Sequence, residues 1–539
     1  MQKSLPAPFP RGMNVSRDSN PAIRLFGKRF IVDQTVPEFL VEFLLVVQSE
    51  KRIGDMYKRI VSPLPSFEQI RNWPDSARLV YRPEVKLNLK LFSFLSSSRI
   101  DSRHEIHREQ YEWIWRELKS RTHTTRDDTE DVVEWLEELL RAFRGAGFNR
   151  TWCAQSFFPV ASSLLSPEVM WNETVVKRKP VHTWRDSLEG FSTYYSLFRY
   201  NFLARGGEVL YLQLCNVFTQ EQNEVYEFAR HFRMSEDEKN LEMLHSDLQV
   251  GLSSLYGQQD EVLNKLVDFI ESIDPDTVES ISNRSLEFAC EWCPADSWKE
   301  GYLFAVELKR LTLTALDPVE KLELLTTGCA LQVLRSLCAQ SVRNTRIHVG
   351  AGLGYSWIFT PTSNASRHLQ LTSQRNLQAV LGLIQQALRT GGLVDGENQE
   401  EHDKILKAAD DKYGYKLFRA LGKKLGIIVP YQGPGARFVM TDGLLRYFIL
   451  TLLEPGHSCS YEDFLDRLYD NYGIAIEGEH LRDGMKWTNL PPNLSTEYDD
   501  SSWLREMLRA GGFLTELSDG YSIVTNTFEM VQTRGSIGQ

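Results

Sequence analysis

The sequence predicts a mainly α-helical, multidomain protein that ends in two small α+β modules. Its 539 residues exceed what one hydrophobic core usually supports, so about three or four domains are expected. Apolar residues recur at helical spacing through much of the chain, most strongly between 220 and 339. Near the C-terminus, a helical pattern followed by two short strand-like runs occurs twice, which predicts the α+β modules.

The composition is typical of a water-soluble globular protein, with 42% hydrophobic and 25% charged residues. The apolar runs fall far short of the roughly 20 residues that cross a bilayer, and residues 1–20 lack the apolar core of a signal peptide. The seven cysteines have no framework spacing, as in proteins of a reducing compartment. We therefore expect a cytoplasmic protein with no membrane contact.

The N-terminal region, 1–147, is predicted to be a mixed α/β domain with a basic arm. The arm includes Arg24, Lys28 and Arg29, and a helix follows in which Pro37 occupies the first turn. Alternating apolar residues predict strands, and apolar residues at helical spacing predict amphipathic helices. The elements expected here are a helix at 35–49, strands at 78–82 and 85–91, and helices at 105–119 and 129–143.

The middle region, 148–402, is predicted to be a mainly helical domain, although no elements are assigned between 148 and 218. Its helices are expected at 220–233, 261–272, 297–313 and 318–339. Within this domain the stretch 324–394 contains no Asp or Glu, in a protein whose net charge is -11. The same stretch carries these arginines: Arg335, Arg343, Arg346, Arg367, Arg375 and Arg389. This local excess of positive charge predicts contact with an acidic ligand such as nucleic acid.

The C-terminal region is predicted to contain two modules, 403–456 and 457–539. The first contains a basic helix at 415–426, apolar runs at 427–429 and 438–440, a turn between them at 432–435 and a helix at 444–453. The second contains helices at 460–469 and 502–509, then a hairpin whose turn is Ser518-Asp-Gly520. A helix followed by a two-stranded hairpin resembles the recognition helix and wing of a winged-helix domain.

Charge distinguishes the two winged-helix-like modules. Residues 403–456 contain nine Lys/Arg and five Asp/Glu, a net of +4, whereas residues 457–530 contain five and fourteen, a net of -9. Because Lys and Arg contact phosphate, DNA is expected to bind the basic module. The predicted nucleic-acid-binding residues are Lys416, Arg419, Lys423, Lys424 and Arg437, with Arg343 and Arg346 beside the glycine-rich loop 350–354. The acidic module is expected to bind another protein through Asp463, Asp466, Asp470, Glu477 and Glu479.

No catalytic residue, metal ligand or cofactor is predicted. Asp75, Glu84 and Lys86 resemble the PD-(D/E)xK nuclease signature, in which two carboxylates hold a divalent metal and a lysine activates water. The motif His104-Glu-Ile-His107 lacks the HExxH spacing of zinc proteases. The motif Cys290-Glu-Trp-Cys293 supplies only half of a structural zinc site. A metal-dependent nuclease is therefore kept as an alternative function.

Over its whole length, the chain resembles the large accessory proteins without a recognised catalytic motif that occur in prokaryotic anti-phage defence systems, including methylation-associated ones. That resemblance implies a DNA-engaging or bridging component beside a methyltransferase, nuclease or ATPase subunit. The favoured function is a non-catalytic DNA-binding or bridging subunit of a multi-protein complex, with DNA and other subunits of the same system as partners. A protein–protein scaffold without DNA contact is the second alternative.

Overall fold

The structure, a computed structural model, describes residues 6–94, 100–125, 128–143, 156–197, 206–256, 258–284, 286–345, 353–390, 392–394, 399–487, 502–517 and 521–531. It is mainly helical, as the sequence predicts. The helices are α1 (Pro21–Phe26), α2 (Val36–Gln48), α3 (Phe67–Arg71), α4 (Leu87–Phe94), α5 (Glu105–Arg121), α6 (Thr129–Ala142), α7 (Glu173–Arg178), α8 (Trp184–Glu189), α9 (Phe191–Tyr194), α10 (Gly206–Val217), α11 (Gln222–Ala229), α12 (Glu236–Lys239), α13 (Leu241–Ser253), α14 (Gln258–Glu271), α15 (Pro275–Ser282), α16 (Trp298–Leu313), α17 (Pro318–Thr345), α18 (Arg367–Leu388), α19 (Gln399–Lys412), α20 (Tyr415–Leu425), α21 (Asp442–Leu452), α22 (Tyr461–Tyr472), α23 (Gly478–Trp487) and α24 (Ser502–Ala510).

The strands are short and form small sheets between and beside these helices. They are β1 (Pro8–Phe9), β2 (Glu50–Ile53), β3 (Tyr57–Ile60), β4 (Leu79–Arg82), β5 (Met170–Trp171), β6 (Tyr195–Ser196), β7 (Phe288–Ala289), β8 (Cys293–Pro294), β9 (Trp357–Pro361), β10 (Ile428–Val429), β11 (Arg437–Met440), β12 (Ser458–Ser460), β13 (Ile474–Ala475), β14 (Leu514–Glu516) and β15 (Ser522–Thr525).

Helices α2, α10, α16 and α17 pack together at the centre of the molecule. Every residue of α10 is buried, including the polar residues Glu208, Gln213 and Asn216. Glycines let the helix backbones come close: a Cβ on Gly207 of α10 would lie 2.4 Å from the amide nitrogen of Phe43 in α2. A Cβ on Gly301 of α16 would lie 2.6 Å from the carbonyl oxygen of Gln213 in α10. Helix α10 therefore lies tightly between α2 and α16.

One hydrophobic cluster runs through the described part of the chain, from Phe9 to Val524. The N-terminal sheet has the strand order β3-β2-β4-β7, and β7 comes from the region predicted as the middle domain. The basic arm is packed into the fold as well, since β1 pairs with β8 and Arg24 donates to the carbonyl oxygen of Leu393 at 3.0 Å. The described parts of the predicted N-terminal and middle domains therefore share a core.

The predicted strand at 85–91 is wrong, because most of these residues form helix α4. The apolar residues alternate, but the polar residues between them are buried too. Asn88 donates to the carbonyl oxygen of Glu271 at 3.1 Å. Lys90 donates to the carbonyl oxygen of Ser166 at 3.2 Å. Alternation indicates a strand when one face is solvent-exposed, and here both faces are covered.

A mixed sheet with the strand order β10-β11-β9-β13 joins regions that the sequence predicts as separate domains. Strand β11 pairs antiparallel with β10 and parallel with β9, and β13 pairs parallel with β9. Strand β9 belongs to the acid-free stretch, β11 to the basic module and β13 to the acidic module. The predicted boundaries at 402 and 456 therefore both pass through one sheet.

Both predicted units of a helix followed by a hairpin occur within the described residues. The basic module contains α20, β10 and β11, and the acidic module contains α24, β14 and β15. Strand β12 extends the second hairpin to three strands. The turn at 518–520 lies outside the described residues. The winged-helix assignment stays a prediction, and each hairpin belongs to a larger sheet.

Candidate nucleic-acid interface

Two segments without acidic residues, 353–390 and 412–441, pack against each other. The first contains β9 and α18, and the second contains α20, β10 and β11. Aromatic stacking joins them: the Phe438 ring of β11 lies 5.8 Å from that of Trp357 and 5.7 Å from that of Phe359, measured between centroids. We call the exposed side of α18, α20 and the β10–β11 hairpin the acid-free face.

Helix α20 presents three of the predicted DNA-binding residues on one side. Lys416, Arg419 and Lys423 are spaced three and four residues apart, so they share one face of the helix. The opposite face buries Phe418 and Leu421 against the hairpin and neighbouring helices. The periodicity that predicts this helix therefore also places its cations toward solvent.

Two further contacts fix the shape of the acid-free face. The Lys423 ammonium donates to the carbonyl oxygen of Tyr431 at 2.7 Å, which ties α20 to the turn of the hairpin. The Arg437 guanidinium donates to the carbonyl oxygen of Thr362 at 3.2 Å, which ties β11 to the segment after β9. These two predicted residues thus hold the hairpin in place besides carrying charge.

The other cations of α20 differ in their surroundings. Lys424 donates to the carbonyl oxygen of Gln34 at 3.0 Å and so points toward the N-terminal region. Lys416 forms an ion pair with Asp411 at 2.5 Å, and the hydrogen bond to that carboxylate raises the pKa of Lys416. Arg419 is exposed, and its side chain has no ion pair or hydrogen bond within the described part of the chain. Arg419 is therefore the predicted residue most available to a phosphate.

Some arginines of the acid-free stretch 324–394 pair with carboxylates from other parts of the chain. The Arg343 guanidinium donates to both carboxylate oxygens of Glu300, at 2.6 and 2.9 Å, and its side chain is only 20% exposed. Arg343 is thus engaged inside the protein and is not part of the acid-free face. Arg335 is fully buried and pairs with Glu307 at 2.5 Å. The predicted residue Arg346 lies outside the described residues.

Two arginines that the site prediction leaves out lie on the acid-free face. Arg367 and Arg375 are exposed on α18, and neither has an ion pair among the residues that the structure describes. The hairpin turn lies beside this helix, since a Cβ on Gly435 would be 3.4 Å from the side-chain amide nitrogen of Gln374. The acid-free stretch is the signal for both arginines, but sequence alone does not show which of its arginines are exposed.

The aspartates predicted to dock a protein are bound by an arginine of the same chain. The Arg233 guanidinium contacts Asp463, Asp466 and Asp470 at 2.6, 2.7 and 2.8 Å, and we call these residues the Arg233 cluster. Burial raises the pKa of Asp470, and the positive charge of Arg233 opposes that rise. Of the other predicted docking residues, Glu479 is exposed. The cluster therefore joins α22 to the segment after α11.

Two of the nuclease-like residues, Asp75 and Glu84, are exposed. Asp75 precedes β4 and Glu84 follows it, and the four residues of that strand alone span about 10 Å. Lys86 pairs with Glu84 at 2.8 Å. Among the described residues, no group of three or more His, Cys, Asp or Glu side chains could hold a metal ion.

The histidine and cysteine motifs belong to the packed interior. His107 is buried against Trp171, with a ring nitrogen 3.2 Å from the Tyr195 hydroxyl, and burial lowers the pKa of His107 to about 3. Cys290 and Cys293 are also buried, and burial raises the pKa of the Cys293 thiol. Packing therefore accounts for both motifs.

The acid-free face combines exposed cations of two segments, among them Arg367, Arg375 and Arg419. None of the helices in the described residues is both long enough and apolar enough to span a membrane. Comparisons of the chain with protein-family models, curated proteins and solved structures find no match.

Proposed function

We propose that the protein is a non-catalytic DNA-binding subunit of a multi-protein complex, and that the acid-free face is its DNA-binding surface. One observation carries the proposal: two segments that lack Asp and Glu pack together in a chain whose net charge is -11. A net negative charge repels DNA at long range. Such a protein needs a local surface with an excess of positive charge to bind phosphate, and the acid-free face meets that condition although Asp411 of α19 pairs with Lys416.

The length of helix α20 is compatible with insertion into a DNA groove. Helix α20 has 11 residues and is about 16 Å long. The major groove of B-DNA is about 12 Å wide and admits one α-helix. With α20 in the groove, Arg367 and Arg375 of α18 and the turn of the hairpin would lie beside it, where phosphates are within reach. Arg419, at the centre of the exposed side of α20, would face the groove itself.

The complex is proposed to belong to a prokaryotic anti-phage defence system, in which this chain contacts DNA or bridges another subunit to it. The resemblance of the whole sequence to accessory proteins of such systems supports this assignment. No disulfide is formed by Cys215, Cys293, Cys329, Cys338 or Cys459 among the described residues, which supports the proposed reducing, cytoplasmic location.

Two alternatives account for fewer of these observations. A nuclease requires Asp75, Glu84 and Lys86 to converge on a metal, and Asp75 and Glu84 lie before and after strand β4 in the chain. A scaffold without DNA contact would leave the clustered cations of the acid-free face without a role.

The proposal is tested by fluorescence anisotropy of a labelled DNA duplex over a range of salt concentrations. The variant is Arg375→Glu/Arg419→Glu, because neither side chain has a partner in the described residues and its loss should leave the fold intact. Each lost phosphate contact lowers the slope of log K against log salt by about 0.9. We therefore expect a weaker complex whose slope is smaller by about 2.

The matched control is Arg185→Glu/Lys265→Glu, which changes the net charge equally at exposed positions of α8 and α14. Its DNA affinity should stay within about twofold of the wild type, because charges distant from the contact act only through the screened overall field. Circular dichroism checks that both variants are folded. Equal affinities of the two variants, or no binding by the wild type at low salt, would show that the acid-free face is not a DNA-binding surface.

A further inference from the structure

A groove of about 620 Å³ lies between α5 and α6, on elements separate from those of the acid-free face. Trp135 is 58% exposed at this groove, and Leu139, one turn further along α6, is 43% exposed. Exposed apolar side chains that lie together in this way are typical of protein-binding surfaces. The aromatic and acidic side chains that line the groove include Tyr111, Trp115, Trp135, Glu112, Glu134 and Glu138.

The groove has an excess of negative charge. Four glutamates and two arginines line it, a formal net charge of -2. Arg141, one of the two arginines, pairs with Glu137 at 3.2 Å. Glu112 and Glu134 are exposed and have no cationic partner within the described residues. A cation that enters the groove would therefore meet two carboxylates that are not neutralised.

The tryptophan rings add a second attraction for a cation. The face of an indole ring attracts ammonium and guanidinium groups through its quadrupole. The protein itself provides an example at this groove, where the Lys119 ammonium lies 5.6 Å from the centroid of the Trp115 ring. Trp135 offers a second and more exposed ring.

We propose that this groove binds an amphipathic helix of a partner protein that presents arginine or lysine next to a large apolar side chain. The cation would lie over Trp135 and between Glu112 and Glu134, and the apolar side chain would pack on Leu139. The lining residues extend over 111–116 of α5 and 134–141 of α6, so the groove can accommodate about two turns of a helix. The proposal deepens the bridging part of the proposed function and rests on it.

The probe is a synthetic amphipathic helical peptide with arginines beside a stripe of leucines, and its control carries glutamate at each arginine position. Binding to the full chain is measured by isothermal titration calorimetry. We expect the arginine peptide to bind and the glutamate peptide not to bind. Trp135→Ala should weaken binding about tenfold or more, because exposed tryptophans are frequent energetic anchors. Glu112→Gln/Glu134→Gln should weaken binding and reduce its dependence on salt.

Val262→Ala removes a similarly exposed apolar side chain on α14 and should bind the arginine peptide like the wild type. Loss of peptide binding in Trp135→Ala with DNA affinity retained would separate this groove from the acid-free face. The proposal is overturned if the arginine peptide does not bind, if both peptides bind equally, or if Trp135→Ala binds like the wild type. A dimer that Trp135→Ala abolishes and the peptide does not dissociate, seen by sedimentation velocity, would also overturn it, since the occupant would be a second copy.

Discussion

Replacing Arg233 with alanine should destabilise the protein by about 2–3 kcal/mol, because three carboxylates lose their shared cation. The magnitude follows from the exposure of each pair. Asp463 and Asp466 are partly exposed, so each of their pairs contributes about 0.5 kcal/mol after screening by solvent. The Asp470 side chain is only 15% exposed, and leaving it without a partner costs about 1–2 kcal/mol.

The destabilisation should depend on pH in a defined direction. Burial raises the pKa of Asp470 and Arg233 limits that rise, so this pKa should be higher still in Arg233→Ala. A carboxyl whose pKa is higher in the folded than in the unfolded state favours folding while protonated, and this contribution is lost as pH rises through the folded-state pKa. The difference in unfolding free energy between wild type and variant should therefore be largest at neutral pH and shrink as pH falls toward about 4, near the ordinary pKa of Asp.

Urea unfolding followed by tryptophan fluorescence, at neutral pH and in mild acid, measures both effects. Arg230→Ala is the matched control, because Arg230 is exposed and pairs with its neighbour Glu227 at 2.7 Å. That control should cost less than about 0.5 kcal/mol. The reasoning is refuted if Arg233→Ala is as stable as Arg230→Ala, or if its destabilisation is the same at both pH values.

Two further changes test the roles of a buried ion pair and of a buried carboxyl group. Arg343→Met should lower the free energy of unfolding by about 2–3 kcal/mol, because the buried Glu300 carboxylate loses its partner. The DNA affinity of this variant should stay unchanged. Weaker DNA binding at unchanged stability would contradict this expectation. Burial raises the pKa of Glu271 to about 7, and its carboxyl accepts from the Leu89 amide at 2.7 Å. Since the unfolded pKa is about 4.3, the stability that protonated Glu271 provides is lost as pH rises through about 7. Glu271→Gln should therefore melt at a higher temperature than the wild type in mild alkali and at a similar one in mild acid; parallel pH profiles in differential scanning fluorimetry would contradict this.

Local signals in the sequence predict 11 of the 24 described helices, and α18, the second longest, is among those that they miss. Asp317 and Pro318 mark the start of α17, because an aspartate cap and a proline in the first turn favour helix initiation. The predicted end at 339 falls short of the observed end at Thr345, and no Gly or Pro lies between them to stop the helix. Element ends are thus less well determined than elements, since helix propensity changes gradually along such a segment.

Partners that are distant in the chain account for what the sequence does not predict. Arg343 and Arg419 both lie in segments without acidic residues. In the fold, however, Arg343 pairs with Glu300 on α16, whereas Arg419 is exposed. Likewise, the sequence around Asp463 is acidic and predicts a docking surface, but in the fold Arg233 pairs with Asp463. Charge and periodicity are local properties, whereas neutralisation of a charge depends on tertiary packing. The acid-free face is therefore only partly predictable from the sequence.

Strand β9 also affects the order in which the chain folds during synthesis. Its partners β11 and β13 both follow it in the chain, and both pairings are parallel. Ala475, which ends β13, comes 114 residues after Pro361, which ends β9 (475 minus 361). At a synthesis rate of about 5–20 residues per second, roughly 6–23 s pass between the synthesis of Pro361 and that of Ala475. Until β13 is synthesised, the edge of β9 at Trp357 and Ile358 lacks its partner, and an unpaired apolar strand edge favours aggregation. The yield of folded protein should therefore depend on chaperones that protect the nascent chain.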